Sequence, residues 1–253
     1  MRIDLNADVG ESFGAYTIGN DAGLMKSVTS ATIAAGFHAG DPSVLRETVR
    51  LAKSHGVAVG AHPGFPDLVG FGRREIQVTP REAEDFVLYQ VAAVGGVAAA
   101  EGVHLQHVKP HGALFNMAAR NAPLAAAIAR AVAAFDRSLI LFGLPGSELL
   151  RAGRSLGLRI AAEAFADRAY RPDGSLAPRS EPGSVIHDVA TVVARAVQMV
   201  TSRTVEATDG TMLSLEFDTM CIHGDTPGAD DLAARLRAGL EAAGVAVQSF
   251  ASR

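Results

Sequence analysis

Short apolar runs alternate with amphipathic stretches from one end of the chain to the other, and this alternation predicts repeated strand–helix units. Strands are expected at residues 3–7, 31–37, 57–61, 105–108, 138–142, 158–163 and 219–222. Most are short, rich in β-branched residues or alanine, and bounded by Gly, Pro or charge, as strands covered on both faces tend to be. An eighth run, 245–250, reads as a closing strand or a tail. Between them, Asp41-Pro42 caps a helix that buries Leu45, Thr48, Val49 and Ala52. Thr79-Pro80-Arg81-Glu82 is a capping box ahead of Ala83, Phe86, Val87, Gln90, Val91 and Val94. Val189, Val193, Ala196, Val197 and Val200 mark another helix. Thr226-Pro227 is expected to open the last one, with Leu232, Ala233, Leu236 and Leu240 inward. Residues 204–217 alternate around Asp209-Gly210, a hairpin signal.

Repeated βα units with no break in composition predict the α/β class. The expected architecture is one domain spanning 1–253, a seven- or eight-stranded parallel β/α barrel. An open Rossmann-like sheet is the weaker alternative, because no G-x-G-x-x-G follows the first strand and no G-x-x-x-x-G-K-[ST] occurs. With 48% hydrophobic and 20% charged residues, the composition excludes disorder. A net charge of −4 offers no basic footprint, so nucleic acid is not an expected partner. The longest nearly apolar run, 86–100, is short of the ~20 residues of a membrane span, and no signal peptide is visible. A single cysteine, Cys221, cannot form an internal disulfide and reads as a small core residue. The expected location is therefore the cytoplasm.

In a barrel of this kind the reacting groups come from the C-terminal ends of the strands. Four of the eight histidines, His38, His62, His111 and His223, fall at such ends, where about one would fall by chance. All are followed closely by glycine, which lets the backbone turn sharply beside a ligand. Lys109, on a predicted strand, cannot be buried as a cation without a partner, and Glu163 poses the same problem. Asp8 and Asp225 lie on turns after strands, where an Asx-turn is the competing reading. The candidate catalytic set is Asp8, His38, His62, Lys109, His111, Glu163, His223 and Asp225. The candidate substrate-binding set is Asn6, Glu11, Asp41, Arg73 and Arg74, with helix capping the competing role for Asp41. His55, His104, His107 and His187 read as ordinary residues. Two loops, 63–74 and 165–183, look like covers; the second carries Arg168, Tyr170, Arg171 and Arg179, and arginines there suit a carboxylate or phosphate.

Carboxylates, imidazoles and a lysine, with no serine or cysteine nucleophile in a recognisable setting, point to hydrolysis by activated water. A carboxylate or histidine would take the water proton, and Lys109 or a histidine would steady the oxyanion. Alternatively, Asp8, His38 and His62 would bind a divalent metal.

Seven blocks in order resemble the LamB/YcsF family: Asp4-Leu5-Asn6-Ala7-Asp8-Val9-Gly10-Glu11, Ala35-Gly36-Phe37-His38-Ala39-Gly40-Asp41, Gly60-Ala61-His62-Pro63-Gly64, Gly70-Phe71-Gly72-Arg73-Arg74, Val108-Lys109-Pro110-His111-Gly112-Ala113-Leu114, Glu163-Ala164-Phe165-Ala166-Asp167-Arg168 and Cys221-Ile222-His223-Gly224-Asp225. The resemblance covers essentially the whole chain. It implies the A component of an ATP-dependent 5-oxoprolinase, which opens 5-oxo-L-proline (pyroglutamate) to L-glutamate with subunits B and C as partners. It also implies a glycoside hydrolase/deacetylase-like β/α barrel, and the kinship with deacetylases gives some weight to a metal. ATP would be handled by the partner subunits, since this chain lacks a phosphate-cradling motif. Two other readings compete: a stand-alone metal-dependent deacetylase or amidohydrolase, and a non-catalytic lactam-binding subunit.

Overall fold

The computed structural model describes residues 1–250. Its elements run β1 (Arg2–Val9), α1 (Asp21–Leu24), β2 (Ser30–Ala34), α2 (Pro42–His55), β3 (Ala58–His62), α3 (Pro80–Ala100), β4 (Leu105–Val108), α4 (Gly112–Ala118), α5 (Ala122–Phe135), β5 (Ile140–Gly143), α6 (Glu148–Ser155), β6 (Arg159–Phe165), α7 (Val189–Ser202), β7 (Thr204–Glu206), β8 (Met212–Ser214), β9 (Thr219–His223), α8 (Ala229–Ala242) and β10 (Ala246–Val247). Strands β1 to β6 pair in sequence order, all parallel, and β9 pairs with both β6 and β1. Seven strands thus close a barrel with helices outside, and β7 and β8 form the separate hairpin expected around Asp209-Gly210.

The eighth run is not a stave. Ala246 and Val247 pair beside Arg2 and Ile3, and Phe250 then packs with Ile140, Phe142 and Ala161, its ring 5.7 Å from that of Phe142. Most strand bounds shift by one or two residues, and three differences have a structural consequence. β1 continues through Asp8 to Val9, so Asp8 is a strand residue and not part of a turn. β2 stops at Ala34, because Gly36 takes a left-handed φ of 95° and turns the chain toward His38. Helix α8 starts at Ala229 and not at Thr226-Pro227, because Gly228 at φ 78° cannot continue a right-handed helix upstream.

The helices follow from caps and periodicity. Asp41 accepts from Ser43 and Val44 at the start of α2, which buries Leu45, Thr48, Val49 and Ala52 as expected. The Thr79–Glu82 capping box opens α3. Among the described residues, α3 is the helix long and apolar enough to cross a membrane by length and composition. Here it lies on the barrel wall, burying Ala83, Val87, Val91, Val94 and Ala98 and packing against α5. Its Gln90 is fully buried and clamps the chain after β3, donating to the Gly64 carbonyl and accepting from the Gly64 amide, both at 2.9 Å. In α7 the buried stripe is Val192, Ala196, Met199 and Val200, turned slightly from the expected one, while Val193 and Val197 are half-buried.

The apolar core lies mainly between the strands and the helices. Inside, the barrel carries a small apolar cluster of Ile140, Phe142, Ala161 and Phe250 and is otherwise largely polar: Asp4, Asn6 and Asp8 alternate along β1 and all are buried. Neighbouring strands add Ser30, Thr32, His107, Glu163 and Thr219 to this interior, also buried. This layered polar filling positions the site.

Candidate active site

Lys109, just past β4, is the centre of the interior network. It is 2% exposed, and its Nζ lies 2.6 Å from Asp8 Oδ1, 3.0 Å from Glu163 Oε1, 2.8 Å from Asn6 Oδ1 and 3.2 Å from Cys221 Sγ. Asn6 fixes the geometry by donating its Nδ2 to Glu163 Oε1 at 2.9 Å and to Thr219 Oγ1 at 2.7 Å. Burial works against the ammonium, but Asp8, Cys221 and Glu163 together overcome it and hold the lysine well above its usual pKa. Burial also pushes Asp8 upward, yet His62 and Lys109 outweigh it and keep that carboxyl well below the usual range. For Glu163 burial wins, Lys109 offsets only part of it, and the carboxyl is raised. The cysteine read as simple core is therefore part of the lysine's shell, with its thiol pushed up by burial.

A layer of imidazoles lies above. His62, the last residue of β3, donates from Nδ1 to the Lys109 carbonyl at 2.7 Å. Its Nε2 then faces Asp8 Oδ2 at 3.4 Å and His111 Nδ1 at 2.9 Å. The other nitrogen of His111, Nε2, points at the Phe71 carbonyl at 2.8 Å. The His38 ring stacks on that of His111, with centroids 3.8 Å apart and planes 4° from parallel. Glu11 Oε1 lies 3.6 Å from His38 Nε2 and 3.7 Å from His111 Nδ1. Ligand atoms of Glu11, His38, His62 and His111 all fall within 4.8 Å of one another, a buried Glu/His set of the kind that holds a metal. This is not the Asp8/His38/His62 set expected from sequence, because Lys109 claims Asp8 and the backbone turns at Gly10 and Gly36 bring Glu11 and His38 together instead.

The 63–74 loop forms the wall of this layer. Gly72, at φ 63°, passes so close that a Cβ would lie 2.7 Å from the His38 Cβ and 2.8 Å from the His111 ring. Arg74 is turned away and paired with Asp67 within the same loop, so the structure does not place it among the substrate-facing groups. Arg73 does face the cavity; it stacks over Phe71 at 4.9 Å and pairs with Asp225 at 2.5 Å. Asp225 is therefore tied to an arginine at the rim instead of reaching the interior. Asp41 is spent as a cap, with Oδ1 holding Ser43 and Val44 and Oδ2 holding the Gly14 amide.

A cavity of about 700 Å³ opens above, lined by Asp8, Lys109, His111, His223, Arg73 and Arg179 among others. His223 points its Nδ1 at Asp167 Oδ2, 2.8 Å away. Burial raises Asp167 and His223 more than offsets it, leaving that carboxyl low. The 165–183 segment supplies much of the cavity wall. Arg168 is consumed by the Ala177 and Ser184 carbonyls and Arg171 by Glu181, whereas Arg179 has no ion pair or side-chain hydrogen bond among the described residues. Sequence reading did not assign roles to Asp167 and Asp4. Asp4 is buried against Ser30, Thr219 and Thr29, and burial raises it to about 6. Its i, i+2, i+4 alternation with Asn6 and Asp8 is the signal that would have revealed it.

The LamB/YcsF family model matches residues 3–253. The chain belongs to the LamB/YcsF family. It is 54% identical over 247 residues to the A component of the 5-oxoprolinase of Bordetella pertussis, covering 98% of each chain. Against the corresponding 5-oxoprolinase chain of Bacillus subtilis the figure is 53% over 253 residues, 100% of this chain and 98% of that one. The crystal structure of the lactam utilization protein from Thermus thermophilus superposes with a TM-score of 0.94 at 52% identity, covering 99% of this chain and all of the other. Within the seven family blocks, Asp8, His62, Arg73, Lys109, His111, Glu163, Arg168 and His223 line the cavity.

Proposed function

We propose that this LamB/YcsF chain works as the A component of an ATP-dependent 5-oxoprolinase, opening 5-oxo-L-proline to L-glutamate with subunits B and C in the cytoplasm. Relatives of the same length carrying that name at more than half identity support the reaction. The observation that carries a hydrolytic role for this chain is the buried Asp8–Lys109–Glu163 group at the floor of a cavity sized for a small molecule.

A five-membered lactam is a resonance-stabilised amide, so water attacks it slowly. Phosphorylation of the amide oxygen by the ATP-handling partners would convert it into a good electrophile. On this reading the substrate carboxylate pairs with Arg179, an arginine of the wall with no ion pair among the described residues, and with Arg73 at the rim. Asp8 accepts a hydrogen bond from the attacking water and orients it. The Lys109 ammonium, locked in its charged form, faces negative charge developing on oxygen. Water adds to the phosphorylated lactam carbon and gives its proton to Asp8, and the ring C–N bond breaks as its nitrogen, protonated by His223, leaves as the amine. A second water splits the resulting acyl phosphate into the glutamate carboxylate and inorganic phosphate. Asp167 orients His223 through Nδ1.

The test combines the purified chain with and without its two partners, and with and without ATP, and measures glutamate released from 5-oxoproline. Glutamate is expected only from the three-component mixture with ATP, and Asp8→Ala abolishes it while the variant still co-purifies with the partners. Glutamate release by the chain alone without ATP, or loss of assembly in the variant, overturns the proposal. Deacetylation by the chain alone would establish the stand-alone hydrolase instead.

A further inference from the structure

The two imidazoles at the cavity wall are held in tautomers that do not fit each other. A backbone carbonyl can only accept, so His62 must carry its proton on Nδ1, facing the Lys109 carbonyl, and His111 must carry its proton on Nε2, facing the Phe71 carbonyl. As neutral rings they then present bare lone pairs to each other, His62 Nε2 and His111 Nδ1, 2.9 Å apart. Lone pairs at this distance repel unless a positive centre lies beside both. Two further ligand atoms or rings aim at the same space with no hydrogen-bonding partner among the described residues: Glu11 Oε1, and the His38 ring, which is 1% exposed and bonded through neither nitrogen. His38 Nδ1 is walled in by Gly64, where a Cβ would lie 2.5 Å from it, so Nε2 is the nitrogen available to a ligand.

We infer that Glu11, His38, His62 and His111 form a binding site for one first-row divalent transition-metal ion at the wall of the cavity. The donor chemistry selects the class. Three imidazole nitrogens and one carboxylate oxygen suit zinc, cobalt, nickel or manganese, whereas calcium and magnesium take oxygen sets. The spacing agrees: with metal–nitrogen bonds of about 2.1 Å, two ligands at right angles stand ~3.0 Å apart, close to the His62–His111 separation. The outer contacts agree as well, since each of these two rings gives its remaining N–H to a backbone carbonyl, the usual way a metal-binding imidazole is oriented. Asp8 Oδ2 is 3.4 Å from His62 Nε2, while the other oxygen of that carboxylate, Oδ1, pairs with Lys109. His62 and His111 line the cavity, so the set borders it. This site stands on geometry alone and is independent of the lactam reading.

The experiment uses the full chain, stripped with a chelator, shown to be folded by circular dichroism, and titrated with Zn(II) and separately with Co(II). After desalting, wild type is expected to retain about one equivalent of metal. The Co(II) form should show visible d–d absorption, and the thermal midpoint should rise with added metal. Glu11→Gln and His111→Gln should each bind at least about tenfold more weakly. His223→Asn, at the same mouth but outside the set, should retain wild-type stoichiometry. A folded, stripped wild type that retains neither ion, with no midpoint shift, overturns the proposal and leaves a proton shared between the two rings. Undiminished binding in either ligand variant overturns it too. If a variant fails to fold, the wild-type titration alone decides.

Discussion

Replacing Lys109 with methionine tests the network at its centre. The change removes the ammonium but keeps most of the volume, leaving Asp8 and Glu163 as buried carboxyls with no cation between them. At an effective dielectric of about 20, contacts of 2.6 and 3.0 Å are worth roughly 6 kcal/mol apiece. The desolvation cost of the lysine cancels much of this, and breaking a buried pair in practice costs about 3–5 kcal/mol. Proton uptake limits the loss. From an ordinary value of 4.5 for Glu163, neutralising the group costs about 1.4 kcal/mol per pH unit, which is about 5 kcal/mol at pH 8 and under ~1 at pH 5. The direction follows from the raised carboxyl. Its stabilising proton is fully present below 4.5 and is lost as pH rises, so Lys109→Met should be most damaging in alkali and least damaging near pH 5. The assay is urea unfolding followed by circular dichroism at pH 5, 6, 7 and 8. A slope of about 3 kcal/mol per molar predicts a midpoint drop of ~1 to 1.7 M at pH 8. Lys109→Met/Glu163→Gln should recover most of that drop, because a neutral amide replaces one orphaned carboxyl. A loss under ~1 kcal/mol that is the same at pH 5 and pH 8 would refute the reasoning.

Asp4 offers a second pH signature: its carboxyl is raised from 3.8 to about 6 by burial, so stability is full below 3.8 and falls as pH climbs through 6, by about 3 kcal/mol. Asp4→Asn should flatten that fall in the same urea series, and an unchanged pH profile would show the group is ordinary. Asp41→Ala should cost about 1 kcal/mol through the lost cap of α2 and leave glutamate formation by the three-component mixture intact; loss of turnover with the fold preserved would restore it to the substrate-binding set.

The barrel was legible because buried parallel strands read as short apolar runs between capped helices, and the order of those runs survives in the structure. The histidines at strand ends were legible through their flanking glycines, and three of them, His38, His62 and His111, do converge. Asp8 was misplaced onto a turn because an acidic residue inside a strand contradicts the general behaviour of charge. Its justification, Lys109, sits on the far side of the barrel, where no local pattern could reveal it. The same holds for the arginines. Arg74 and Arg179 look alike in sequence, and only tertiary contacts show that Asp67 has claimed the first while the second, in the cavity wall, has no ion pair among the described residues. Asp225 and Asp41 were spent in comparable ways, on Arg73 and on the start of a helix.

Lys109 serves its neighbours through two separable parts, a side chain that engages Asp8 and a main-chain oxygen that sets the tilt of the His62 ring. Mutagenesis can delete the first and cannot touch the second. Any neutral substitution at 109 that folds therefore abolishes the charge while leaving the ring's backbone anchor in place, so electrostatics and alignment can be measured apart within a single residue.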